Sequence, residues 1–112
     1  MDLTLKAYQS RVDRWVRTYG VRYFNEMTNL AILAEEVGEV ARVMARTFGE
    51  QSFKSEVSAR DSSQAYELAD VLFVVVCIAN QTGIDLTAAV EKNLAKKSSR
   101  DNRRHWQNPK LQ

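Results

Sequence analysis

A chain of 112 residues is one domain by length, here taken as 1–112, and is long enough to bury a core. Its composition, 45% hydrophobic and 27% charged, is that of a globular protein rather than a disordered or fibrous one. A net charge of +2 makes no electrostatic case for a nucleic-acid polymer or a membrane surface as partner, and a single cysteine excludes an intrachain disulfide framework.

One proline and four glycines favour long helices. Leu5, Tyr8, Val12, Trp15 and Tyr19 recur at steps of three and four, which predicts a first helix over 3–18 with Gly20 as its stop. Trp15 falls on that apolar stripe and is expected in the core. The loop GVRYFN leads to a second helix over 26–47, with Asn25 as N-cap and Gly49 as stop. The segment GEQSFKSEVSARD shows no clean period and reads as a loop or lid. Asp61 and Gln64 have capping-box spacing and open a third helix over 62–81, followed by Gly83. Asp85 can cap a fourth helix over 86–98, and an irregular basic tail follows from about residue 100. The expected fold is an all-α, four-helix bundle-like protomer.

The third helix is apolar almost all round from Leu72 to Ile78, and a helix of that kind must be covered on every side. Four helices rarely do this alone, so a second copy of the chain is expected against it. Cys77 lies within this run and reads as a buried, inert thiol. No charged, apolar, then small pattern marks a secretory signal, and VLFVVVCIA is about half the length a bilayer needs. No membrane partner is expected, and the location is expected to be cytoplasmic.

The acidic residues carry the chemistry. On the second helix Leu33, Val37, Val40 and Met44 form a narrow stripe, taken as core-facing. At about 100° per residue, Glu36 and Glu39 lie to one side of it, at i and i+3, while Glu35 points nearly away. On the third helix Glu67 and Asp70 repeat the spacing and continue the line of Val74 and Ile78. Antiparallel packing would bring four carboxylates together, where mutual repulsion forces either protonation or a divalent cation. Oxygen-only donors suit Mg²⁺, or Mn²⁺ as a substitute, rather than zinc. A di-iron centre would want Glu-x-x-His pairs, and the one histidine, His105, lies in the tail. The competing reading of either pair alone is a solvated helix face.

EEVGE followed by ELADVLF resembles the paired acidic signature of the MazG-like all-α nucleoside triphosphate pyrophosphohydrolases, in their short single-domain form. RYFN, EVAR, VLFVVVCIAN and KKSSRDNRRHW extend the likeness over most of 12–106. The resemblance implies Mg²⁺-dependent hydrolysis of standard or modified (deoxy)nucleoside triphosphates to monophosphate and pyrophosphate, as nucleotide-pool housekeeping. It implies Glu36, Glu39, Glu67 and Asp70 as metal ligands and Glu35 as the acid that orients or deprotonates water. Lys96 and Arg100 would grip the phosphates, and Asn80 would contact substrate. It also implies a homodimer or a dimer of dimers, with sites that draw groups from a neighbouring subunit. Tyr23 and Phe24, adjacent loop aromatics, are candidates to stack on the base. The rivals are a related hydrolase of the same fold, preferring dCTP or dUTP or acting on phosphoribosyl-ATP, and a non-catalytic helical module that binds metal structurally.

Overall fold

The computed structural model describes residues 2–112. Five helices follow one another: α1 (Leu5–Tyr19), α2 (Glu26–Thr47), α3 (Glu56–Asp61), α4 (Gln64–Gln81) and α5 (Leu86–Trp106), with a short 3₁₀ turn at Pro109–Leu111. The all-α expectation holds, with one helix more than predicted. Each helix starts on a side-chain cap. Thr4 accepts the Ala7 amide at 3.0 Å, Asn25 that of Met27 at 2.8 Å, and Asp85 that of Thr87 at 3.0 Å. Each cap contributes about 1 kcal/mol. α4 ends where Gly83 takes φ 74°, which lets the Ile84 amide return to the Ala79 carbonyl at 2.8 Å.

Three expectations need correction here. The presumed lid contains α3, which starts at Ser55 with its hydroxyl accepting the Ser58 amide at 3.0 Å. Asp61 closes that helix, so the cap of α4 is Ser63, bonded to the Tyr66 amide at 3.1 Å. The tail is helical as far as Trp106. Arg100, Arg103 and Arg104 suit a helix, and Arg103, Arg104 and His105 oppose the negative end of the helix dipole.

The core lies between α1 and α4. Val12, Val16, Val76 and Cys77 are buried there, and Tyr8, Tyr23, Phe73 and Leu86 pack around them. α2 lies along α4, its main partner. The covered side of α2 carries Asn29 and Val43, which are buried, with Ile32 and Glu36 half-buried between them. The stripe assigned to the core is only half covered: Leu33 and Val40 are half-buried, while Val37 is 52% exposed and Met44 40%. α4 covers only one face of α2, and that face is set one residue round from the aliphatic one.

The open side of α2 is a continuous seam of Met27, Leu30, Ala34, Val37, Ala41, Met44 and Phe48, alternating steps of three and four as in helix-on-helix packing. Leu68 and Leu72 of α4 are also about half exposed. α5 departs from α4 at 108°, and residues 88–100 are exposed without exception. The radius of gyration is 17.8 Å, against about 13 Å for a compact domain of this length. The surface of 8931 Å² compares with about 6300 Å² for a folded monomer of this mass.

Candidate active site

Glu36 on α2 and Glu67 and Asp70 on α4 each present a carboxylate oxygen within 4.8 Å of the other two. Two turns of paired helix achieve this: Glu67 and Asp70 share a face of α4 at i and i+3, and α2 brings Glu36 across to them. All three are half-buried. Burial raises the Glu36 pKa, and the negative charges of Asp70, Glu67, Glu39 and Glu35 raise it further. Among the described residues no cation offsets this group, and a divalent cation would do so. The donors are carboxylate oxygens only, which fits Mg²⁺ or Mn²⁺.

Glu39 is turned outward, with its Oε2 on Arg42 Nε at 3.1 Å in a half-exposed ion pair. An exposed i,i+3 pair of this kind costs little to break. Glu35 is exposed.

Beside the carboxylates opens a cavity of about 320 Å³. Trp15, Tyr23, Phe24, Ile32, Phe73, Val74 and Cys77 form its walls, with Glu36 and Asp70 at one side. This is a common size for a small-molecule site, with mostly apolar walls and a few polar groups. Trp15 belongs here and not to the core: it is 50% exposed and meets Phe73 edge-on, with 5.5 Å between ring centroids. The stripe reading missed it because Trp15 sits on the edge of the α1–α4 contact, where an apolar residue serves either use. Burial pushes the Cys77 thiol up to about 11, which keeps it neutral and unreactive.

The loop from α1 to α2 forms one wall. Val21 takes φ 71°, a left-handed conformation that costs a β-branched residue steric strain. The Arg22 amide meanwhile returns to the Gly20 carbonyl at 2.8 Å. This tight turn delivers Tyr23 and Phe24 to the cavity as neighbours. The Tyr23 hydroxyl donates to Asp13 Oδ1 at 2.7 Å and accepts from Asn80 Nδ2 at 3.1 Å. Burial and the Asp13 carboxylate push the Tyr23 phenol up to about 12. Asn80 also donates to the Gln9 carbonyl at 2.9 Å and accepts from Gln9 Nε2 at 3.0 Å. Its amide is thus fully engaged in holding Tyr23 and joining α1 to α4, and it does not line the cavity.

Lys96 and Arg100 are exposed on the projecting part of α5, which packs chiefly on α1, and neither lines the cavity. The Arg100 guanidinium makes a two-pronged contact with Asp101 at 2.9 and 3.0 Å.

The MazG nucleotide pyrophosphohydrolase domain matches residues 24–105, which contain all three converging carboxylates. The chain belongs to the MazG nucleotide pyrophosphohydrolase family. The YpjD protein of Bacillus subtilis (strain 168) is 38% identical over 100 residues, covering 89% of this chain and 88% of its own. The crystal structure of Bacillus subtilis YpjD superposes with a TM-score of 0.77 at 37% identity, over 89% of this chain and 98% of that one. A Bacillus-conserved MazG protein, described as a nucleotide pyrophosphohydrolase, gives a TM-score of 0.71 at 35% identity, over 88% and 92% of the two chains. This MazG-family chain carries its acid pairs on two packed helices, α2 and α4.

Proposed function

We propose that this protein hydrolyses (deoxy)nucleoside triphosphates to monophosphate and pyrophosphate in a Mg²⁺-dependent reaction, as a homo-oligomer. The observation that carries the reading is the contact between two unlike surfaces: an aromatic-walled cavity and a cluster of three carboxylates, two of which, Glu36 and Asp70, line its edge. A base fits the first, and a cation-bound phosphate chain fits the second.

Glu36, Glu67 and Asp70 would hold the cation, with Glu39 joining them once released from Arg42. Bound Mg²⁺ would supply charge neutralisation on the phosphates and a more acidic water. Glu35 is the candidate to accept a proton from that water. Tyr23, Phe24 and Trp15 would stack on or enclose the base, and Asn80 would act on substrate through the position of Tyr23.

Lys96 and Arg100 fit a phosphate-gripping role in a site on a second copy. They project on a helix the protomer leaves uncovered, and α2 offers an apolar seam for a partner. Lys96 is exposed, and Arg100 can exchange Asp101 for phosphate oxygens, which guanidinium binds in the same forked geometry. A structural metal module would have no use for the cavity beside the acids.

The test is a panel of ribo- and deoxynucleoside triphosphates with Mg²⁺, in which pyrophosphate is distinguished from orthophosphate. Pyrophosphate release is expected from the wild type and its loss, by at least about 10²-fold, from Asp70→Asn. Release of orthophosphate alone, or full activity in the variant, would overturn the assignment.

A further inference from the structure

Asn29 is buried to within 5% of its surface, yet it is polar and faces the cavity. Its amide is held in one orientation by a chain of three groups. The Phe24 backbone carbonyl can only accept, so Gln81 Nε2 donates to it, at 2.8 Å. That leaves Gln81 Oε1 to accept, and Asn29 Nδ2 donates to it at 2.8 Å. Asn29 Nδ2 also leans toward the Phe24 carbonyl at 3.5 Å. The polarity of a main-chain carbonyl is thus relayed through two side-chain amides, and Asn29 Oδ1 is turned away from both.

No donor meets Asn29 Oδ1 among the described residues. No buried side-chain nitrogen or oxygen among them lacks a partner either, so this oxygen reaches the surface of the cavity that Asn29 lines. It offers a fixed acceptor in a mostly apolar enclosure. Asn29 precedes Glu36 by seven residues on the same face of α2, which is about 10.5 Å of helix rise. That is close to the distance from the far edge of a base to the first phosphate of a nucleotide. A base seated among Trp15, Tyr23 and Phe24, with its phosphates toward Glu36 and Asp70, would therefore bring its outer edge to Asn29.

We infer that Asn29 is a specificity residue that selects bases carrying an exocyclic amino group at the edge remote from the sugar, namely cytosine and adenine, over their keto counterparts. This rests on the nucleotide-hydrolase reading above. An amino group donates to Asn29 Oδ1. A keto oxygen in its place faces another oxygen in an enclosure that gives neither a donor, and an unpaired buried acceptor is costly. Gln81 is the positioning residue, since it fixes which end of the Asn29 amide faces inward.

Two substrate pairs exchange that amino group for a keto group, with a proton gained on the adjacent ring nitrogen: dCTP against dUTP, and dATP against dITP. In the wild type kcat/KM for the amino member should exceed that for the keto member by about 10- to 100-fold in at least one pair. Gln81→Ala should release the Asn29 amide to turn over, collapsing that ratio to within about threefold while the preferred triphosphate is still cleaved; a purely structural Gln81 would lower both rates and leave the ratio in place. Calorimetric titration of dCMP and dUMP into the wild type separates this inference from the hydrolase reading. Tighter dCMP binding without any cleavage would support the Asn29 assignment and sink the activity. Cleavage with equal amino and keto rates, or a preference for the keto member, would overturn the Asn29 assignment and leave the activity standing. Binding of neither monophosphate together with no cleavage would overturn both.

Discussion

Glu36→Gln should stabilise the metal-free protein and cancel its response to Mg²⁺. Two unit charges at 4.8 Å, the span of this cluster, repel by about 1 kcal/mol in water and by about 3.5 kcal/mol at an effective dielectric constant of 20. Glu36 is half-buried and faces both Glu67 and Asp70, so its removal relieves two such terms, each partly softened by water and by protonation. A net gain of roughly 1–2 kcal/mol is expected, or a rise in Tm of roughly 4–10 °C for a domain near this size. The sign also predicts a pH dependence. A carboxyl whose pKa is raised on folding costs stability at neutral pH, and that cost falls away as pH drops through its folded value toward the ordinary one. Metal-free wild type should therefore gain on Glu36→Gln as pH is lowered from neutral toward the carboxylate range. Mg²⁺ reverses the order. At one hundred times its Kd, a ligand adds about 2.7 kcal/mol to the folded state. The wild type should gain most of that and the variant little. The assay is thermal unfolding followed by circular dichroism, at one protein concentration, in chelator and across a Mg²⁺ titration. The two stability curves should cross. A variant less stable than wild type in chelator, or one with an equal Mg²⁺ shift, would refute the convergent-carboxylate argument.

Tyr23→Phe removes the charge-assisted hydrogen bond to Asp13 and the acceptor for Asn80 Nδ2, and should cost about 2–3 kcal/mol at neutral pH, because Asp13 retains water and Arg17 while Asn80 loses a partner. The deficit should shrink in acid. The Tyr23 and Arg17 hydrogen bonds hold the Asp13 pKa below the usual carboxylate range, so their stabilisation is lost as pH falls through that lowered value. At high pH the wild type should lose stability between the ordinary tyrosine value of 10.0 and the Tyr23 value of about 12, and the Phe variant should lose less, keeping only the losses from the raised Cys77 thiol and Tyr8 phenol. Denaturant unfolding at several pH values checks both limbs, and a deficit independent of pH would count against the network. The wild type should elute well above its 12.8 kDa protomer mass on size exclusion, and Val37→Asp on the open seam should shift it toward the monomer. A fully active wild-type monomer would remove the role proposed for Lys96 and Arg100.

Helix α2 was legible almost to the residue, because an asparagine cap, a long period and a glycine stop all agree over Glu26–Thr47. The acid pairs were legible for a different reason: i,i+3 spacing places two side chains on one face wherever the helix goes. What periodicity could not show was which face of α2 turns inward. Two apolar stripes compete there, and the protomer covers the one carrying Asn29, Glu36 and Val43 while the purely aliphatic one stays open. A sequence encodes every surface that will be covered, whether by its own chain or by another, and hydrophobicity does not separate the two. The same ambiguity moved Trp15 from core to cavity wall, and it made a helix that leaves the bundle look like an irregular tail. Asn29 escaped notice because an asparagine in a helix interior carries no period and no motif. Its meaning depends on Gln81, 52 positions away in sequence. Pairings of that range arise only once α2 and α4 are packed, so the converging carboxylates can be read along the chain, whereas an Asn29–Gln81 pair is defined by what the fold sets side by side.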